Sequence, residues 1–204
     1  MGRLKLGVLG GTFDPPHIGH LILAEEARLA LGLGQVLFVP AGAPWRKVGQ
    51  DLSPREDRLA MVQLAIGANP YFAVSGLEIE RQGPSYTAET LAALREQLAV
   101  DSEPFFILGQ DSLADLPNWW QPQRIISLAR LAVAARTAWE PAQADALETE
   151  LLGISQRLVW LDMPRIDISS TAVRERVRRG LSFRYWVPPA VEEYIRQHGL
   201  YVGG

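Results

Sequence analysis

Apolar residues fall into short runs separated by stretches of helical spacing, almost from one end of the chain to the other. Leu4–Leu9 reads as a buried strand, and Ile18–Leu31 has the apolar spacing and alanine content of a helix. Val36–Val39 is a second short strand, followed by a Gly/Pro-containing loop, Pro40–Leu52. Ser53-Pro54-Arg55-Glu56 forms a capping box with proline at the first helical position, and predicts a helix to about Gly67. Phe72–Ser75 and Leu77–Ile79 are weaker strand candidates. Beyond them come a helix from about Ala88 to Ala99 and strands at Phe105–Leu108, Leu131–Ala135 and Leu158–Leu161. Pro141–Leu152 reads as a peripheral helix of acidic residues and alanines, and further helices lie near Ser170–Arg179 and Pro189–His198. Strands alternating with helices predict an α/β fold, a doubly wound parallel sheet with helices on both faces, closed by C-terminal helices. In such sheets ligands bind beyond the carboxyl ends of the strands.

Composition narrows the partners. A chain of 204 residues suits one domain over 1–204, with about 165–204 as a helical C-terminal part. A net charge of −3 argues against nucleic acid as the main partner. No apolar run approaches the length of about 18 residues that a membrane helix needs, and no signal segment precedes the first strand, so no membrane partner is expected. The absence of cysteine excludes a disulfide framework and fits a reducing, cytoplasmic setting. Only Lys5 and Lys47 among the 20 basic residues are lysine, and no function follows from that bias. Oligomeric state cannot be read from these residues, which leaves a homo-oligomer open.

The chemistry begins at Gly10-Gly11-Thr12-Phe13-Asp14-Pro15-Pro16-His17-Ile18-Gly19-His20, between the first strand and the first helix. The spacing of His17 and His20 puts both imidazoles on one face of the helix's first turn. There the unpaired N–H groups and the positive end of the helix dipole favour anions. Gly10 and Gly11 allow close approach of a ligand, and Gly19 keeps the space between the histidines clear. The segment is not a Walker A loop, because no Gly-Lys-Ser/Thr follows. Nor is it a dinucleotide fingerprint: Gly7-Val8-Leu9-Gly10-Gly11 has the wrong spacing, and Gly32-Leu33-Gly34 is followed by Leu37 where a third glycine is required. His198 is the one other histidine, too few neutral ligands for a zinc site. A phosphate mouth is the reading that remains.

A second element of the same kind is Ile168-Ser169-Ser170-Thr171-Ala172-Val173-Arg174. Its hydroxyls can cap a helix, or join the N–H groups in holding phosphate oxygens, with Arg174 adding a charged donor. Arg176, Arg178 and Arg179 sit toward the helix end before Gly180, where cations complement the dipole. Asp111, after the strand in Gly109-Gln110-Asp111, is placed to accept ribose hydroxyls, to help hold a metal–phosphate complex, or to cap a helix. Trp119 and Trp120, in a loop, offer flat surfaces for a heteroaromatic ring.

The two signatures together resemble the nucleotidyltransferase superfamily, and the longer first one is similar to the bacterial nicotinate-mononucleotide adenylyltransferases. The resemblance runs from Lys5 to Arg174 and is weak only in Ala138–Gln156 and the C-terminal tail. It implies a Rossmann-like fold, ATP and nicotinate mononucleotide as substrates, nicotinate adenine dinucleotide and pyrophosphate as products, and Mg²⁺ held mainly by substrate phosphates. It places ATP on Gly10, Gly11, Thr12, Phe13, His17, Gly19, His20, Ile168, Ser169, Ser170, Thr171 and Arg174, with His17, His20 and Arg174 as positive donors to the phosphates. It places the acceptor on Asp14, Arg46, Lys47, Thr87, Gly109, Asp111, Trp119 and Trp120. Trp119 stacks on the pyridine ring in this family, and Thr87, also a possible helix cap, matches a threonine that binds the nicotinate carboxylate. Pro44-Trp45-Arg46-Lys47 departs from the usual Pro-Pro-His-Lys, so the loop stays basic while the contacts of Arg46 differ. Nicotinamide mononucleotide, phosphopantetheine, or CTP with glycerol phosphate are alternatives within the superfamily. A catalytically inactive nucleotide-binding regulator is opposed by intact His17, His20 and Arg174, and a DNA-binding role has only the Arg174–Arg184 cluster behind it.

Overall fold

The computed structural model describes residues 4–47, 49–67, 69–99, 102–135 and 141–203. Six strands form one sheet: β1 (Lys5–Gly11), β2 (Gln35–Pro40), β3 (Phe72–Val74), β4 (Glu103–Gly109), β5 (Arg130–Ala134) and β6 (Leu158–Leu161), in the order β3-β2-β1-β4-β5-β6. β1 with β4, β4 with β5, and β5 with β6 pair in parallel, with Val8 opposite Phe106 and Leu108 opposite Val133. The order reverses direction at β1, as a doubly wound sheet requires. Helices α1 (Ile18–Leu31), α2 (Arg55–Ile66), α3 (Leu77–Glu80), α4 (Thr87–Gln97), α5 (Gln110–Ala114), α6 (Pro122–Leu128), α7 (Pro141–Glu150), α8 (Ser170–Arg178) and α9 (Pro189–Gln197) connect or follow the strands. No described helix is long and apolar enough to cross a membrane.

The chain divides into two compact units. One comprises residues 1–10, 24–37 and 86–165. Its strands β4 and β5 are apolar along most of their length, and Phe105, Ile107, Leu131 and Val133 are buried, the pattern of parallel strands covered on both faces. The other comprises residues 11–23, 38–85 and 166–204. Here α2, α8 and α9 share a core of Met61, Ala65, Val173, Val191 and Ile195, closed by Phe183 and Val187. The loop after β2 packs so closely on α3 that a Cβ on Gly42 would lie 2.0 Å from the Glu78 carbonyl oxygen.

Two local expectations are corrected, and one helix is added. Leu77–Ile79 is not a strand but the start of α3. Its alternating Leu-Glu-Ile-Glu pattern imitates a strand, yet the Ser75 hydroxyl accepts the Leu77 N–H and the Gly76 carbonyl accepts the Glu80 N–H, closing one helical turn. The capping box at Ser53 does not form: Pro54 is the N-cap of α2, without a side-chain cap bond. Ser53 gives its N–H to Asp14 and its carbonyl to Arg58 instead. Helix α6, with proline in its first turn, has no counterpart in the sequence pattern. Of Ala138–Gln156, residues 138–140 lie outside the described ones; the remainder is α7 followed by a short turn, with Glu148 accepting the Gly153 and Ser155 N–H groups.

Candidate active site

The histidine signature runs from the end of β1 through a loop into α1, its residues from Gly11 onward in the second unit, with His17 just before α1 and His20 in its first turn. The imidazoles stack with centroids 3.7 Å apart and planes 27° apart. A Cβ on Gly19 would crowd the His17 ring at 3.0 Å, so the glycine leaves that ring its room. Phe13, in the left-handed region at φ +50°, turns its ring under His20, centroids 4.9 Å apart. A Cβ at position 11 would press on the Phe13 ring at 3.0 Å, so any side chain there needs that ring to give way. Gly10 has no such neighbour: a Cβ there would find Phe106 at an ordinary 3.5 Å.

The His17 main-chain N–H donates to His20 Nδ1 at 3.1 Å. That bond makes Nδ1 an acceptor and leaves the ring proton of a neutral His20 on Nε2. Burial, then the neighbouring His17 and Lys47, hold the His20 pKa well below its ordinary value. These causes favour a neutral His20 that donates through Nε2–H over the positive donor expected from its type. Two stacked imidazolium rings so close would repel strongly.

Lys47 joins the group from the loop after β2. Burial, then the charge of Arg174, lowers its pKa. Arg174, on α8, donates from Nη1 to the Asp14 carbonyl at 2.7 Å and from Nη2 to Thr171 Oγ1 at 3.4 Å. Its Nε is buried without a hydrogen-bond partner. The Ser170 hydroxyl donates to the Pro15 carbonyl at 2.8 Å, tying α8 to the histidine loop. Ser169 is the N-cap, accepting the Ala172 N–H at 3.1 Å. Ile168 packs against the apolar core, and Thr171 is exposed. His20, Lys47 and Arg174, beside the N-termini of α1 and α8, thus form a donor-rich cradle suited to a polyphosphate.

Asp14 is 1% exposed, its carboxylate accepting from Tyr201 and Ser53. Thr12 gives its carbonyl to Arg58. Arg46 is exposed, its guanidinium 5.3 Å from the Trp45 ring centroid. Sequence reasoning missed Arg58 and Tyr201. Arg58, 2% exposed, donates to four carbonyls: Ser53, Thr12, Ala41 and Gly42.

In the first unit, Gly109 is the N-cap of α5 and Asp111 lies in that helix's first turn, exposed. Thr87 opens α4, whose N-cap is Tyr86, so Thr87 is not itself the cap. Trp119 Nε1 donates to Asp115 Oδ2 at 3.1 Å, and its ring meets Phe106 edge-on. Trp120, 48% exposed, stacks on Tyr86 with centroids 5.1 Å apart.

Residues 8–176 match the cytidylyltransferase-like family model. A probable nicotinate-nucleotide adenylyltransferase of Dehalococcoides mccartyi (strain CBDB1) is 49% identical over 201 residues, 98% of each chain. One from Roseiflexus sp. (strain RS-1) is 47% identical, over 98% of this chain and 100% of that one. Among solved structures, Plasmodium falciparum nicotinic acid mononucleotide adenylyltransferase complexed with NaAD is similar at TM-score 0.77 and 15% identity, covering 98% of both chains. At that identity the likeness concerns the fold.

Proposed function

The chain belongs to the cytidylyltransferase-like family, and from that premise we propose an adenylyltransferase of NAD biosynthesis, joining ATP and nicotinate mononucleotide into nicotinate adenine dinucleotide with release of pyrophosphate. The observation that carries this reading is the convergence of His20, Lys47 and Arg174: the charges of Lys47 and Arg174 repel, and a polyphosphate would relieve that repulsion and accept from all three. Relatives of nearly equal length, named nicotinate-nucleotide adenylyltransferases, support it.

The acceptor's 5′-phosphate attacks the α-phosphorus of ATP in line, and the bond to pyrophosphate breaks. A phosphate is already a nucleophile, so the protein's task is to position both reactants and to stabilise charge on the leaving group. His20 donates through Nε2–H, Arg174 and Lys47 supply charge, and the two helix N-termini supply fixed dipoles. His17, 8% exposed, supports His20 by stacking and by its main-chain N–H. Mg²⁺ would travel with the triphosphate oxygens and water, since the Asp14 carboxylate beside the cradle is taken up by Tyr201 and Ser53. It would supply further neutralisation of the phosphates. On the acceptor side, Trp119 would stack on the pyridine, its edge already oriented by Asp115, with Thr87 toward the carboxylate and Asp111 toward ribose hydroxyls. Arg46 would meet a phosphomonoester in place of the family's histidine. A cytoplasmic setting belongs to this reading, and the cysteine-free composition is compatible with it.

The test is pyrophosphate release with ATP and Mg²⁺, run separately with nicotinate mononucleotide, nicotinamide mononucleotide and phosphopantetheine, and with CTP and glycerol phosphate. Release with nicotinate mononucleotide is expected. No release with either pyridine mononucleotide overturns the reading.

Protons should move with the ligand as well. A polyphosphate beside His20 stabilises its protonated form and raises a pKa that the empty site depresses. Binding should therefore take up protons at mildly acidic pH, and ATP affinity should rise as pH falls toward the ordinary histidine range. Calorimetry in two buffers of different ionisation enthalpy reads this directly; proton release there would contradict the assigned geometry.

A further inference from the structure

The C-terminal tail contributes one polar side chain to the interior of the second unit. Tyr201 follows α9, and its hydroxyl donates to Asp14 Oδ1 at 2.7 Å, with Met61 Sδ 4.0 Å away. Asp14 is held at three atoms. Oδ1 accepts from Tyr201, Oδ2 accepts the Ser53 N–H at 3.4 Å, and the carbonyl oxygen accepts Arg174 Nη1 at 2.7 Å. The hydroxyl stays a neutral donor, because burial and then the Asp14 charge raise its pKa.

A phenylalanine would fill the same space against Met61, so the hydroxyl's distinct work is the bond to Asp14. Asp14 sits between Phe13, held in the left-handed region, and a proline, which fixes its own φ. Pro15 also restricts the Asp14 backbone itself, so in this proposal Asp14 moves as a unit, and its carbonyl shifts when its carboxylate loses the anchor. Arg174, gripping that carbonyl, shifts with it. We propose that Tyr201 is a positioning residue for adenylyl transfer: its hydroxyl fixes Asp14, and the Asp14 carbonyl aims Arg174 at the phosphates.

The proposal rests on the adenylyltransferase reading, and the test separates the two. Tyr201→Phe is made in the wild-type and in the Arg174→Ala background, with thermal melting as the check on folding. In the wild-type background, kcat should fall about ten-fold, since small misplacement of a catalytic group is costly. ATP affinity should fall several-fold, while Tm stays within a few degrees. With Arg174 truncated there is nothing left to aim, so Tyr201→Phe should change kcat and ATP affinity less than about two-fold. Unchanged kcat and ATP affinity in the first background overturn the proposal; so does a full second loss in the Arg174→Ala background, the mark of a merely structural residue. If wild-type protein turned over no acceptor, the adenylyltransferase reading would fail, and ATP affinity measured by calorimetry across the same four proteins would still decide the role of Tyr201.

Discussion

Alanine at position 20 should lower turnover about 10²–10³-fold while leaving the protein folded, the loss typical of one donor aimed at charge developing in a transition state. Truncation removes the Nε2–H donor that the His17 main chain orients, and it removes the stacking partner of His17. It also leaves the His17 N–H without its imidazole acceptor. The structural cost is small, about 1 kcal/mol for one such bond. Phe13, Gly11 and the tie from Ser170 to Pro15 remain to hold the loop. Steady-state kinetics alongside thermal melting separate the two effects. Near-normal turnover in a folded variant would remove His20 from the mechanism.

Arg58→Met should destabilise the protein by at least about 2–3 kcal/mol, since it leaves several buried or part-buried carbonyls without their donor and each unsatisfied group costs about 1–3 kcal/mol. Arg58 carries no substrate in the proposed mechanism. Its guanidinium gathers carbonyls from the histidine loop at Thr12, from the loop after β2 at Ala41 and Gly42, and from the turn before α2 at Ser53. Methionine fills similar space but leaves four carbonyls without these donors. Lysine is no remedy, because one ammonium cannot reproduce a planar fork of five N–H groups. Urea unfolding measures the loss; less than about 1 kcal/mol would mean that solvent or neighbouring N–H groups satisfy these carbonyls.

Much of the site was legible because its logic is local. The histidine loop and the start of α8 each declare a helix N-terminus by residue type and spacing, and both lie where expected. Arg58 was not legible. It occurs in Arg55-Glu56-Asp57-Arg58, which reads as a solvated charged turn, and only the loops folded around it make it a buried hub. Tyr201 was hidden in the same way, since its partner lies 187 positions earlier. The charge state of His20 depends on neighbours in the same way: residue type suggests a cation, while burial, the stacked His17 and the nearby Lys47 lower its pKa. Leu77–Glu80 shows the opposite failure, where two alternations of Leu or Ile with Glu outweighed the Ser-Gly turn in front of them.

The bonds from Arg174 and Tyr201 to Asp14 span 160 and 187 positions. Contacts of such long range form late and slowly in folding, because closing the loop costs entropy before the contact returns anything. During synthesis the histidine loop leaves the ribosome well before its partners on α8 and beyond α9. The nascent chain thus carries its most recognisable motif long before that motif can grip a nucleotide, and a product truncated before residue 166 would hold the signature without the cradle.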